Sequence, residues 1–293
     1  MRDLRCSRGI AVLKLILSRK GVDSSAGGFA SPVFPDGSLL SVAIPDKRAP
    51  LTYGNIKSSI DIGKLVNNLS GGKVTRKTGV HLDPDIDRRQ LDRRPGWNPA
   101  FGQCGAAQTH LLAQGVGTGD IFLFFGWFRR VEYVKRRWRY VPGAPDQHVI
   151  FGWLQIRAVH DIATLSEKRV LDCHRSHPHF HGEFSGHNAL YEGSTQLTIT
   201  GSKAPGAGTF RDYQPHRCLT AAGHSRSRWA LPQWMHPDGR QSVLSYHGDH
   251  SRWHREGKQV MLRSAARGQE FVLDVDHYPE ATQWLTRIFA DVR

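Results

Sequence analysis

The sequence predicts an α+β fold: a single domain with a central, mostly antiparallel, buried sheet flanked by a few helices. Two apolar runs, residues 119–128 and 148–156, predict the sheet. Their apolar residues are consecutive, which is typical of strands covered on both faces. Helical spacing over residues 61–69 and from about residue 280 predicts helices. The 293 residues can bury a sizeable core, and no clear boundary divides them.

The first predicted strand covers residues 13–17, so residues 1–12 form an N-terminal extension to a domain of residues 13–293. A loop of Gly, Ser, Lys and Asp follows at residues 18–28. Such a loop can present backbone N–H groups to an anion, although it lacks the spacing of a P-loop. An ordinary surface turn is the alternative. The groups that would hold phosphate are Ser18, Lys20, Ser24 and Ser25.

The remaining elements follow from apolar spacing and from the glycines and prolines that end them. In chain order they are a strand at 39–44, a helix at 61–69, a helix at 106–114, the two apolar strands, strands at 197–200 and 271–275, and a helix from about 280. The polar stretch 75–101 is long for a loop in a compact protein, and loops of that length are usually functional.

Basic residues are in excess: 40 Lys and Arg against 26 Asp and Glu give a formal charge of +14. This balance favours a polyanion, and we expect DNA or a nucleotide as the partner. The connector at residues 129–147 alternates cations with aromatic rings, which suits phosphates and stacked bases. Arg136 and Arg137 are the phosphate-binding candidates. A solvated hairpin at the sheet edge is the alternative.

The four cysteines are far apart and form no Cys-x-x-Cys pair, so neither a disulfide framework nor a zinc ribbon is indicated. No apolar run reaches the length of a membrane span. The apolar patch near the start is interrupted by Lys14 and lacks the cleavage site of a signal peptide. We therefore expect a cytoplasmic protein with no membrane partner.

A metal site is predicted from two histidine segments. His81 and Asp83 have the spacing of the first two ligands of a His-x-Asp iron site, and Asp85 adds a candidate catalytic carboxylate. If residues 177–181 are extended, alternate side chains share a face and could converge on one ion, namely His177, His179 and His181. We expect a divalent metal, with iron favoured, because mixed His and carboxylate ligands suit oxidation. A His-rich surface loop is the alternative.

A glycine-flanked turn at residues 102–108 supplies other candidates. Cys104 enters the predicted helix, and a thiol at a helix N-terminus has a lowered pKa, so Cys104 is a candidate nucleophile. Gln103 and Gln108 are candidate readers of a nucleobase, because an amide can both donate and accept. Close packing of the turn is the alternative.

Several segments together resemble the nucleotide modification associated domain 3 family, which is linked to hypermodification of DNA bases. The resembling residues are 15–28, 34–37, 81–85, 101–108 and 117–128, and the similarity covers roughly residues 13–200 and more weakly those beyond. The resemblance identifies residues 13–293 as one nucleotide-modification-associated domain. It implies other base-modification enzymes as partners, but no particular reaction or metal.

The leading hypothesis is a metal-dependent enzyme, oxidase-like, that acts on a nucleobase in DNA or in a nucleotide, with Trp127 or Trp153 stacked on the base. One alternative is a non-catalytic basic module that reads modified nucleic acid. Another is a metal-free transferase or hydrolase that uses Cys104 or Asp23. Metal analysis separates the first hypothesis from the other two.

Overall fold

Fourteen strands and three α-helices form the regular structure of the described residues. The computed structural model describes residues 13–162, 172–181, 184, 186–198, 204–239, 242–266 and 268–292, so the predicted extension 1–12 lies outside them. The strands are β1 (Lys14–Arg19), β2 (Ser31–Val33), β3 (Ile44–Pro45), β4 (Val80–His81), β5 (Ala100–Cys104), β6 (Ile121–Val134), β7 (Arg137–Tyr140), β8 (Gln147–Asp161), β9 (Asn188–Gly193), β10 (Ala207–Thr209), β11 (Arg228–Pro232), β12 (Trp253–Glu256), β13 (Gln259–Arg263) and β14 (Glu270–Asp274). The helices are α1 (Ile62–Leu69), α2 (Gly105–Ala113) and α3 (Glu280–Ile288).

The two apolar runs form the central strands β6 and β8, which are antiparallel as predicted, with Ile121 opposite Gln155. A register shift between Phe124 and Phe125 leaves one extra residue on β8, which is a β-bulge. Successive side chains of β6 enter different cores, so the prediction of a strand covered on both faces is confirmed. Ile121, Leu123 and Phe125 belong to one core, and Phe122, Phe124 and Phe128 to the other.

The central sheet has nine strands. Its main order is β14-β1-β6-β8-β9-β5, with β2 and β7 also paired to β6 and β10 to β8. Only β1 and β2 run parallel to β6 among these pairs, which confirms a mostly antiparallel sheet. A three-stranded sheet, β11-β13-β12, and the short pair β3-β4 complete the described strands. The architecture is therefore α+β, as predicted.

The helices lie close to their predicted positions. The Asp61 side chain caps α1 by accepting a hydrogen bond from the Lys64 backbone N–H at 3.0 Å. The apolar face of α1 is buried, as its periodicity predicted. Helix α3 begins at Glu280 and buries Leu285 and Ile288. Within the described residues, no helix combines the length and apolar character needed to cross a membrane.

Two short predicted strands are wrong. In residues 39–44 a strand begins only at Ile44, because Val42 N–H bonds to the Ser31 hydroxyl and Leu39 N–H to the carbonyl of Arg211. Residues 197–198 are irregular, since Thr198 N–H bonds to the Gln155 side chain instead of a neighbouring strand. The rest of that predicted strand, residues 199–200, lies outside the described residues.

The predicted basic connector is a hairpin that extends β6. Strand β6 runs on to Val134 and returns as β7. The two turn residues, Lys135 and Arg136, have left-handed φ values of 48° and 63°, as a tight two-residue hairpin turn requires. We call residues 129–140 the basic arm.

Candidate metal centre

The chain brings His81 and Asp83, at the end of β4, against a distant segment that carries His177 and His179. Asp83 Oδ2 lies 3.7 Å from His179 Nε2 and 3.9 Å from His81 Nε2. One donor atom from each of His81, Asp83 and His179 lies within 4.8 Å of the others. Metal bonds of about 2.0–2.2 Å separate neighbouring donors by about 2.8–3.6 Å. The two Asp83–His distances exceed that by only a few tenths of an ångström.

The other ring nitrogen of His179 is held by a buried amide. His179 Nδ1 lies 2.7 Å from Asn188 Oδ1, and Asn188 Nδ2 donates to the His179 carbonyl at 3.2 Å. This pair of contacts makes Nδ1 the donor, so Nε2 carries the lone pair that faces Asp83. Such outer partners fix the tautomer and orientation of metal-binding histidines.

The same arrangement surrounds the other two side chains. His81 Nδ1 faces Asp46 Oδ2 at 3.7 Å, which leaves His81 Nε2 toward Asp83. Asp83 Oδ1 accepts a hydrogen bond from the Gly102 backbone N–H at 2.9 Å, which leaves Oδ2 toward the histidines. Each of the three residues thus has one atom toward the common point and another toward a protein group.

Burial and charge suit these groups to bind a cation. Burial lowers the pKa of His179 to about 4 and also lowers the pKa of His81, so both rings are neutral near pH 7. Burial opposes the charge of Asp83, but the attraction to His177, His179 and His81 in their protonated forms outweighs it at low pH and holds the pKa of Asp83 well below its usual value. Two neutral imidazoles therefore surround an ionised carboxylate.

His177 is the innermost member of the cluster. Its Nδ1 accepts a hydrogen bond from the His179 backbone N–H at 3.3 Å, and its Nε2 lies 3.2 Å from Asp83 Oδ1 without hydrogen-bond alignment. His174 is also buried, and neither of its ring nitrogens has a hydrogen-bond partner among the described residues. Buried polar atoms without partners are costly, and they are expected where a bound ligand completes a site.

Residues 177–181 are not a strand, so the condition under which His177, His179 and His181 would share one face is not met. Pro178 opens a 3-10 helix, Pro178–Phe180, because its fixed φ suits the first helical position. Alternate side chains therefore do not share one face. His181 is exposed, and its Nε2 contacts the carbonyl of Arg175, so the structure does not bring it to the cluster.

The Asp85 carboxylate forms an ion pair with Arg93. Arg93 contacts both carboxylate oxygens, at 2.7 and 2.6 Å, and Trp97 Nε1 donates to Oδ2 at 3.2 Å. Cys104 does precede α2, but the expected lowered pKa is wrong. Burial and the nearby Asp83 carboxylate raise the pKa of the Cys104 thiol. The Asp85 carboxylate is therefore paired with Arg93, and the thiolate form of Cys104 is disfavoured.

Lys20 and Gln103 converge on Glu270, a residue that the sequence did not point to. Lys20 Nζ lies 2.8 Å from Glu270 Oε1, and Gln103 Nε2 donates to the same oxygen at 2.6 Å. Ser18 stands opposite Glu270 in the β1–β14 pair. Ser18 Oγ and Glu270 Oε2 are buried and lack hydrogen-bond partners within the part of the chain that the structure describes. Glu270 gave no local signal, because it opens an ordinary apolar strand.

The loop after β1 is closed by its own hydrogen bonds. Asp23 Oδ1 accepts from the backbone N–H and hydroxyl of Ser25, at 2.7 and 2.8 Å, and from the Ala26 N–H at 2.7 Å. The Arg226 guanidinium donates to the Ser24 hydroxyl. These contacts match the surface-turn alternative, and they show that Asp23 organises the loop.

The remaining candidates lie in different environments. Trp153 is buried and donates to the Pro205 carbonyl at 2.9 Å, and Gln108 is buried and accepts from the Tyr191 hydroxyl at 2.9 Å. Trp127 is half-buried, and its Nε1 donates a hydrogen bond to Asp146 at 2.9 Å. The Arg226 guanidinium covers the ring of Trp127, 4.0 Å from its centroid. Arg136 and Arg137 are exposed at the tip of the basic arm.

Comparison with known families identifies a match over most of the chain. The sequence profile of nucleotide modification associated domain 3 matches residues 14–274. No curated protein and no solved structure matches the chain. Because the match spans most of the 293 residues and includes the His81–Asp83 segment, β5 and the 177–181 segment, the chain belongs to the nucleotide modification associated domain 3 family.

Proposed function

We propose that this protein is a metal-dependent enzyme that modifies a nucleobase. The observation that carries the proposal is the cluster of His81, Asp83 and His179, in which each side chain turns one donor toward a common point; hydrogen bonds hold His179 and Asp83 from the far side, and the Asp46 carboxylate faces His81 there. The family name indicates the class of substrate, which is nucleotide-related.

Two imidazoles and one carboxylate form the donor set of the oxygenase-type iron sites, so iron is our preferred divalent ion. A bound iron of this kind would supply oxidation chemistry at its open coordination positions. The chain's own residues do the positioning: Asn188 holds His179, Asp46 faces His81, and the Gly102 N–H binds Asp83. His177 lies against Asp83 and is either a further ligand or a support for the carboxylate.

The substrate in this proposal is a base in DNA or in a nucleotide, and the net charge of +14 favours such a polyanion. Other base-modification enzymes are proposed partners, and the proposed location is the cytoplasm. The non-catalytic reader remains a second candidate, because Arg136 and Arg137 are exposed on the basic arm. The raised thiol pKa of Cys104 and the occupied Oδ1 of Asp23 do not favour metal-free catalysis.

Nucleoside analysis tests the proposal. DNA and nucleotide pools from cells that express the wild type, His179→Ala or His181→Ala would be digested and compared by mass spectrometry. We expect a new nucleoside mass with the wild type and with His181→Ala, and none with His179→Ala. Identical nucleosides from all three would count against an enzyme and favour the reader.

A further inference from the structure

A cavity of about 1190 Å³ adjoins the candidate metal centre. Its wall includes Leu82, Asp83 and Pro84, so one residue of the centre also borders the cavity. Phe34 and Trp138 line it too, and their rings meet edge to face with centroids 5.1 Å apart. Small-molecule sites occupy about 300–1,000 Å³, so the cavity has room for a nucleoside and part of its flanking backbone.

The cations that border the cavity already have carboxylate partners. Lys57 Nζ lies 2.5 Å from Asp92, and Arg89 makes two contacts of 2.9 Å with Asp87. Arg211 Nε lies 3.9 Å from the carboxylate of the next residue. The cavity therefore offers no unpaired Lys or Arg among the described residues to a triphosphate, although its rings and polar groups suit a nucleoside.

Unpaired cations stand instead beside the cavity, on the same hairpin as Trp138. Arg136 and Arg137 are exposed, and no carboxylate of the described residues forms an ion pair with either, whereas Arg139 pairs with Glu132 at 2.9 Å. Because side chains alternate along a strand, Trp138 faces inward while its neighbour Arg137 faces out.

We propose that the cavity receives one nucleoside of a nucleic-acid strand, while the phosphates of that strand stay outside on the basic arm. The proposal rests on the proposed function and narrows its substrate from any nucleotide to a nucleotide within a polymer. Trp138 is the ring against which the base packs, in place of Trp127 and Trp153. An aromatic platform of this kind accepts any base, because every base has a π-face.

Binding measurements test this without requiring turnover. The probes are a fluorescein-labelled single-stranded DNA oligonucleotide, followed by anisotropy, and an unlabelled deoxynucleoside triphosphate, followed by calorimetry. We expect the wild type to bind the oligonucleotide more tightly than the triphosphate. Trp138→Leu and Phe34→Leu should each weaken oligonucleotide binding about tenfold, and Trp138→Phe should restore most of it. Tyr246→Leu, which removes an exposed ring outside the cavity, is the matched control and should bind as the wild type does.

Two outcomes would overturn the proposal: a triphosphate that binds as tightly as the strand, or correctly folded Trp138→Leu and Phe34→Leu variants that bind the strand as the wild type does. His179→Ala separates this inference from the proposed function. Strand binding that survives in His179→Ala while that variant yields no new nucleoside supports both. If His179→Ala yields no new nucleoside while Trp138→Leu and Phe34→Leu bind the strand as the wild type does, only the present inference fails and the proposed function stands.

Discussion

The imidazole of His179 fills the space where Gly102 has no side chain. A Cβ atom at residue 102 would lie 2.3 Å from His179 Cδ2. Gly102→Ala should therefore displace His179 and lower metal affinity about 10–100-fold, as changes in groups that support ligands do. Titration of the protein with Fe(II) under anaerobic conditions measures this. Gly248→Ala, where a Cβ meets no atom within 4 Å, is the control, and an unchanged affinity in Gly102→Ala would refute the contact's role.

A second residue makes a prediction about pH. His148 is buried, and its Nδ1 accepts a hydrogen bond from Trp229 Nε1 at 3.0 Å. Burial lowers the pKa of His148 to about 3, against about 6.5 in the unfolded chain. Between these values the unfolded chain binds the extra proton, so the free energy of unfolding falls as pH falls, by about 1.4 kcal/mol per pH unit for this group.

His148→Gln tests this, because glutamine keeps an acceptor for Trp229 but does not titrate. Urea unfolding between pH 6 and pH 4 should show a shallower loss of stability in the variant than in the wild type. Parallel curves would contradict the assignment.

At the scale of single residues, the sequence predicted metal ligands only where the spacing of His and Asp along the chain was informative. The His81-x-Asp83 triplet and the histidines near 179 are local patterns. Asn188, Asp46 and Glu270 could not be predicted, because each acts through a partner that only the fold brings near. His181 was a predicted ligand because an extended segment would place it on the same face as His179. Pro178 opens a 3-10 helix instead, so the two side chains do not share a face.

Among the elements, the β6–β8 pair is the core around which the sheet is built. The Phe124 ring is fully buried and lies 5.3 Å from the Phe101 ring, centroid to centroid. Phe124→Ala should lower the free energy of unfolding by about 3–5 kcal/mol, because apolar surface is no longer buried and a cavity is left behind. Leu112→Ala, at an exposed position of α2, should change it by about 0.5 kcal/mol or less. Comparable decreases in the two variants, measured by urea unfolding, would be inconsistent with this packing.

The basic arm makes a separate prediction. Arg136→Gln and Arg137→Gln together should weaken single-stranded DNA binding and flatten its dependence on salt, by about 0.7 units of slope for each phosphate that the arm no longer neutralises. Lys258→Gln, which removes a cation at the tip of the β12–β13 hairpin, is the control and should leave the slope unchanged. If the arm variant keeps the wild-type slope, the arm is only a solvated hairpin.

Elements with a strong repeating pattern were predictable, and short ones were not. The apolar runs of β6 and β8 and the helical spacing of α1 and α3 each mark the side chains that the structure buries. Residues 39–43 carry strand-like side chains, yet their backbone N–H groups bond to scattered partners, namely the Arg211 carbonyl, the Pro32 carbonyl and the Ser31 hydroxyl, and not to one continuous neighbouring strand. Local composition cannot distinguish these outcomes, because the partners come from elsewhere in the chain.

The whole molecule assembles the candidate centre from separate parts of the chain. The end of β4 supplies His81 and Asp83, the 3-10 helix at Pro178–Phe180 supplies His179, and β5 supplies the Gly102 N–H that holds Asp83. The Glu270 network adjoins this centre through β5, where Gln103, which donates to Glu270, follows Gly102, and the charge of Lys20 contributes to lowering the pKa of His81. The fold thus concentrates buried polar groups at one place.

The central claim is that this place binds a metal ion, and elemental analysis of purified protein tests it most directly. Wild type, His81→Ala, His179→Ala and His181→Ala would be loaded with Fe(II) under anaerobic conditions, desalted and measured by plasma mass spectrometry. We predict about one iron per chain in the wild type and in His181→Ala, and a loss of most of it in His81→Ala and His179→Ala. Equal and negligible metal in all four proteins would contradict the metal centre.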